Sequence, residues 1–200
     1  MKKLRFLLTV IILAMLLCGC AIMGTVDDDG QTNIILKNDN SVIYRIREGF
    51  GETYYSIDEL KNMILDEAAT YNSNHNTGDV GINKVEAVNG VTNVEMSFIN
   101  PETFSEFNGA ELFVGSYAEA VQKGLVSKLI LTSVGDTNQT IADSDMKNMN
   151  DCLLLVYGGK ERIYLPSRAL YISDSCRVSQ EGMSVSSDTD IDDLIYVLFK

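Results

Sequence analysis

Tryptophan is absent from this 200-residue chain, proline occurs only at Pro101 and Pro166, and histidine only at His75. One histidine cannot build a multi-imidazole zinc site, and no Cys-x-x-Cys pair stands in for it. Basic residues are also scarce, 16 against 28 acidic ones, for a net charge of −12. A surface of that sign repels nucleic acid and anionic headgroups alike. What the chain does have is hydrophobicity, 46 % of residues, which excludes a disordered polymer.

Charge is missing altogether from residues 6–26. Ahead of that stretch stand Lys2, Lys3 and Arg5, and residues 6–17 read FLLTVIILAMLL. A basic start followed by an apolar run of this length has the layout of a secretory signal peptide. The run falls short of the ~20 apolar residues that a spanning helix needs. Leu17-Cys18-Gly19-Cys20 resembles the lipobox of bacterial lipoproteins, in which the cysteine thiol receives a diacylglyceryl group and cleavage follows just before it. The resemblance implies that Cys20 is lipidated and begins the mature chain. Two acyl chains, at ~0.8 kcal/mol per buried methylene, are enough for stable attachment. The rival is a retained membrane helix, whose second half is diluted by Cys18, Gly19, Cys20, Gly24 and Thr25. Both readings put the remainder on the extracytoplasmic side, because the positive end stays in the cytoplasm.

Removal of residues 1–19 takes Lys2, Lys3 and Arg5 and leaves 13 basic and 28 acidic residues, net −15. Residues 20–31, with Asp27-Asp28-Asp29-Gly30, read as a lipidated flexible tether. Of the cysteines beyond it, Cys152 and Cys176 are either paired or two separate thiols. A bond would stabilise by ~3.5 kcal/mol on the chain-entropy model, but sequence supplies no distance between them.

Folded structure is expected from Thr32. Residues 33–36 and 42–46 read as strands. Ser56 and Glu59 have capping-box spacing ahead of a helix whose apolar face carries Ile57, Leu60, Met63, Ile64, Ala68 and Tyr71. Residues 72–79 read as a polar loop holding a solvated His75. Asn89-Gly90 predicts a tight hairpin between strands at 82–88 and 91–98. Asn100-Pro101 predicts a short helix that stops at Gly109, and Ser116 with Glu119 predicts another that ends at Gly124. Short strands follow at 112–114, 129–132, 152–157, 162–165, 169–172 and 195–199, with one helical turn capped by Ser144. The expected class is α+β: an antiparallel sheet of hairpins against one main amphipathic helix, with a β-rich C-terminal part. The expected division is 32–134 as an α+β domain and 135–200 as the β-rich part, the two forming either one domain or two.

Tyr54-Tyr55, Glu59-Leu60-Lys61, Tyr71-Asn72, Phe107-Asn108-Gly109, Phe113-Val114-Gly115, Ala169-Leu170-Tyr171-Ile172 and the closing Tyr196-Val197-Leu198-Phe199-Lys200 resemble a group of uncharacterised lipoproteins of gut Clostridia. The resemblance implies a Gram-positive surface lipoprotein and carries no functional residue with it.

Motifs of chemistry are weak. Ser144-Asp145-Met146-Lys147 matches the Ser-x-x-Lys of penicillin-recognising enzymes without its companion elements. Asp188, Asp190 and Asp192 open like a calcium loop, yet Asp193 and Phe199 occupy the positions of the required Gly and Glu. Gly49-Phe50-Gly51 has Tyr54 where a dinucleotide loop needs its third Gly. Tyr54, Tyr55, Tyr157, Tyr164 and Tyr171 are candidates for an aromatic ligand surface. No catalytic residue, metal or cofactor is assigned. The expectation is a membrane-anchored lipoprotein acting as a binding module, toward an envelope ligand or partner protein. The alternative is an envelope hydrolase that works through carboxylates.

Overall fold

The structure, a computed structural model, describes residues 30–49, 56–188 and 193–200. Cys20, the signal segment, Tyr54, Tyr55, Asp190 and Asp192 lie outside the described residues.

The chain begins with β1 (Asn33–Leu36), β2 (Val42–Gly49) and helix α1 (Ile57–His75). The hairpin β3 (Val80–Val88) and β4 (Val91–Phe98) follows, then α2 (Pro101–Asn108), β5 (Leu112–Gly115) and α3 (Tyr117–Gln122). Next come β6 (Ile130–Ser133), β7 (Thr140–Ala142) and the single turn α4 (Asp143–Met146). The last strands are β8 (Leu153–Tyr157), β9 (Arg162–Tyr164), β10 (Ala169–Ile172), β11 (Cys176–Val178), β12 (Ser184–Ser187) and β13 (Ile195–Phe199). The α+β class holds, with 13 strands in two sheets and four helices among the described residues.

Sheet A runs β11-β12-β9-β1-β2-β4-β3 and sheet B runs β5-β8-β13-β10-β6-β7. All pairings are antiparallel except that of β1 with β9. Strands from before and after residue 135 therefore share both sheets: β9 and β12 lie beside β1, and β8 lies beside β5. The pairing shows no boundary there.

Alternation explains the layers. In β4, Thr92, Val94, Met96 and Phe98 are buried, while Asn93, Glu95 and Ser97 face outward. The inward residues of sheet A join Leu155, Tyr157, Ile195, Val197 and Phe199 of sheet B in one core between the sheets. The alternate residues of sheet B, Leu154, Val156 and Leu198, enter a second core roofed by Tyr117 and Ala120 of α3 and Met146 of α4. Strands β8 and β13 are thus buried on both faces, which is why LLLVY and IYVLF are nearly continuous apolar runs.

Cys152 belongs to the second core and Cys176 to the first. Both are free thiols, so the pairing left open by the sequence is not made. The apolar layers of sheet B hold them on different sides.

Helix α1 departs from expectation in two ways. Met63 is 60 % exposed, and Ala68 is its one fully buried residue, with Ile64 and Tyr71 packed at the core's edge. The helix also runs on through residues 72–75. Asn72 holds it in place, its Nδ2 donating to the Val80 carbonyl (2.8 Å) and its Oδ1 accepting from the Val80 N–H (3.0 Å). Asn76 then ends the helix in the left-handed conformation, φ 54°. The expected loop shrinks to a few residues.

Candidate functional site

A cleft of about 690 Å³ opens between α2, β5 and α3, lined by Glu102, Glu106, Glu111, Glu119 and Lys123 among others. Its walls are set by caps. Asn100 Oδ1 accepts from the Thr103 N–H (2.8 Å), Pro101 fills the first helical turn, and Gly109 closes α2 with φ 67°. Ser105 Oγ accepts from the Leu112 N–H (2.8 Å), stitching α2 to β5. On the opposite wall, Ser116 and Glu119 form the full capping box. The Glu119 carboxylate accepts from the Ser116 N–H (2.7 Å) and hydroxyl (2.8 Å), and Ser116 Oγ accepts from the Glu119 N–H (3.2 Å). Lys123 bridges to Glu102 at 3.0 Å, joining the two helices.

Glu106 also borders a shallower depression shared with Tyr71, His75 and Phe107. Its Oε2 accepts the Tyr71 hydroxyl proton at 2.7 Å and lies 4.0 Å from His75 Nε2. The His75 ring stacks on Tyr71, with centroids 4.1 Å apart, and its Nδ1 sits 2.9 Å from the Tyr71 carbonyl oxygen. His75 therefore occupies the last turn of a helix with ordered neighbours, not a solvated loop.

Electrostatically the cleft is an acceptor surface. The hydrogen bonds from Ser116 hold the Glu119 carboxyl below the usual range. The hydrogen bond and charge of Glu102 raise Lys123. Burial, then the Glu106 hydrogen bond, pushes Tyr71 up to about 12. A general acid needs a carboxyl moved the other way, toward neutrality. Glu102 and Glu106 fasten α2 to its neighbours, and Glu119 caps its own helix. The arrangement offers acceptors suited to cationic or hydroxyl-bearing groups.

The remaining sequence candidates disperse. Ser144 and Lys147 are both exposed, on and just after α4. Ser144 is also not the cap of that turn: it sits inside α4, and the Asp145 carboxylate accepts from the Ala142 N–H instead (3.0 Å). Tyr157 is 1 % exposed in the inter-sheet core, donating its hydroxyl to Glu161, whereas Tyr171 packs at the second core. Tyr164 lies on sheet A, so the described tyrosines form no common surface. Asp188 is paired with Arg177. Among the described residues no group of three His, Cys, Asp or Glu is placed to hold a metal ion, and no helix is long and apolar enough to cross a membrane.

Glu106 was the residue that sequence reasoning missed. Its signal was the i, i+4 spacing from Glu102 on a capped helix, which places two carboxylates on one face. No protein-family model, curated protein or solved structure matches the chain.

Proposed function

We propose that the chain is an extracytoplasmic lipoprotein, held on the cell membrane by lipid on Cys20, whose folded domain is a binding module. The observation that carries this reading is the arrangement of the first twenty residues: Lys2, Lys3 and Arg5, the uncharged apolar run, and Leu17-Cys18-Gly19-Cys20. In support, strand β1 begins at Asn33, close behind the segment read as a tether. The likeness to lipoproteins of gut Clostridia belongs to the same reading.

The acidic cleft between α2, β5 and α3 serves as the ligand surface, for a cationic or hydroxyl-rich component of the envelope. Asp39, Glu95, Glu119 and Asp151 all have carboxyls held low, and of these Glu119 lines the cleft, where a charged carboxylate suits a cationic partner. For Glu95 burial is the largest single influence and acts upward, but hydrogen bonds from Arg45 and Asn83 and the Arg45 charge outweigh it.

Metabolic labelling with palmitate tests the anchor. The wild-type chain takes up label and loses residues 1–19, and Cys20→Ser does neither. Label retained by the variant, or Met1 retained by the wild type, overturns the reading.

A further inference from the structure

Strand β5 is an edge of sheet B, with β8 on one side and the acidic cleft on the other. Its register against β8 fixes where its backbone groups point. The Gly158 N–H donates to the Glu111 carbonyl (3.0 Å), and Leu112 to Gly115 continue the pairing against Tyr157 to Leu154. Hydrogen bonds in an antiparallel ladder fall on alternate residues. Phe113 and Gly115 therefore bond to β8, whereas the N–H and C=O of Leu112 and Val114 point the other way, toward the cleft.

Leu112 is occupied. Ser105 Oγ accepts from its N–H (2.8 Å) and donates to its carbonyl (2.9 Å). Just past the strand, the Ser116 N–H donates to the Glu119 carboxylate (2.7 Å). Between these two stoppers, the Val114 N–H and C=O have no partner among the described residues. Sheet edges are usually defended against such openings. At β3, an edge of sheet A, Asn72 takes both backbone groups of Val80, and a bulge ahead of Lys84 distorts the rest. Val114 has neither device.

Val114 also stands where two depressions meet. Beside the cleft lies a hollow of about 370 Å³ with Leu36, Leu153, Pro166 and Phe199 among its walls, and Val114 and Asn40 line both. Leu153 is exposed there although apolar. The cleft itself sets Glu102, Glu106, Glu111 and Glu119 against the single cation Lys123, so its lining is net negative.

We infer that the open edge of β5 takes an extended basic peptide as an added strand, so that the ligand of the acidic cleft is a polypeptide segment of a partner protein. The inference rests on the binding role proposed above for that cleft. One N–H and one C=O of the peptide complete the two bonds that Val114 leaves open. Side chains alternate along the added strand as they do along β5. The residue opposite Val114 sends its side chain toward the core between the sheets, where Val114 packs, and an apolar group suits it. Its neighbours turn toward the layer of Phe113 and α3, where a Lys or Arg meets Glu111 and Glu119. The Glu102–Lys123 bridge joins the two walls, but both groups are exposed and such pairs hold weakly, so an incoming cation takes Glu102 in place of Lys123. A polyamine or a glycan also satisfies the carboxylates, but neither carries an N–H and a C=O at strand spacing.

Selection of displayed random peptides against the full chain in detergent, followed by synthesis of the recovered sequences, tests it. The expected consensus has Lys or Arg next to an apolar residue. Hydrogen exchange read by NMR should find the Val114 amide unprotected in the free protein and slowed roughly tenfold at saturation with peptide. Methylating the peptide nitrogens one at a time should weaken binding roughly tenfold at the one that faces Val114, while the next one along is tolerated. Glu111→Gln leaves every cap and bridge in place and should weaken binding roughly fivefold. Recovery of no peptide, a consensus without basic residues, a Val114 amide already protected in the free protein or still unprotected in the complex, or indifference to Glu111→Gln overturns the inference. Spermine, a cation without a backbone, separates it from the reading beneath it. If spermine shifts the signals of Glu102, Glu111 and Glu119 while no peptide protects Val114, the cleft binds cations and strand addition alone is overturned. If neither spermine nor peptide perturbs the cleft, the binding role falls with it.

Discussion

Tyr71 donates its hydroxyl to Glu106 at 2.7 Å, and this bond fastens the last turn of α1 to α2. It joins elements that otherwise meet through aromatic edges, Tyr71 with Phe107 at 5.6 Å. Tyr71→Phe keeps the ring contacts and removes only the bond. The site is open to solvent, so the expected loss is at most about 1 kcal/mol in a urea titration. The phenol itself should titrate near 12 in the wild type, two units above an ordinary tyrosine, and this is readable by ultraviolet absorbance.

The two buried thiols give a second test. Mature, lipidated protein should show almost no reaction with a thiol reagent while folded. Two thiols per chain should react once it is denatured without reductant, because Cys152 and Cys176 are free and each is about 6 % exposed. Silence after denaturation would mean a disulfide and contradict the structure.

Alkaline stability should carry the mark of Cys176. Burial pushes its thiol up to about 12 from an ordinary value of 9.0, a backbone hydrogen bond from Ser186 opposing slightly. Between pH 9 and 12 the unfolded chain therefore releases a proton that the folded chain keeps, and stability falls as pH rises. The steepest decline from one such group is ~1.4 kcal/mol per pH unit. The raised tyrosines and Cys152 add the same background to both proteins, so chemical denaturation at pH 9 and pH 10 should give a shallower decline in Cys176→Ala than in the wild type. Identical slopes would rule the thiol out as the cause.

Gly115 stands where the cleft wall turns from β5 into α3. A Cβ there would sit 2.6 Å from Phe113 Cζ and 2.9 Å from Glu119 Oε2, displacing a buried ring and the capping carboxylate together. Gly115→Ala should cost about 1–3 kcal/mol, the range for overpacking. Gly135→Ala, whose nearest neighbour would be 3.9 Å away, should change little. Calorimetry of the two variants side by side separates the effects.

Where structure is decided locally, the sequence reading and the structure mostly agree, the cap expected at Ser144 being an exception. Asn89 and Gly90 both take positive φ, 53° and 75°, as an Asn-Gly hairpin turn requires. Asn100, Gly109, Ser116 and Glu119 cap the helices they were expected to cap. Where structure is decided at a distance, they part. Residues 72–75 are rich in asparagine and read as loop, but the two hydrogen bonds from Asn72 to Val80 keep them helical. Strands β11 and β12 escaped notice because CRV and SVSS are short and mostly polar, and they are strands by virtue of pairing with each other and with β9. The cleft was illegible for a related reason. Each of its glutamates looks like an ordinary surface residue until α2, β5 and α3 bring them together.

Strand β13 has a consequence for timing. It lies between β8 and β10, at the centre of sheet B, and no other described strand joins those two. A chain that emerges amino end first, from a ribosome or a translocation channel, has residues 30–188 in hand before residues 195–199 arrive. Until then β8 lacks one neighbour, Leu155 and Leu154 each face an unfinished core, and neither layer can close. Sheet B therefore closes only when residues 195–199 enter between β8 and β10.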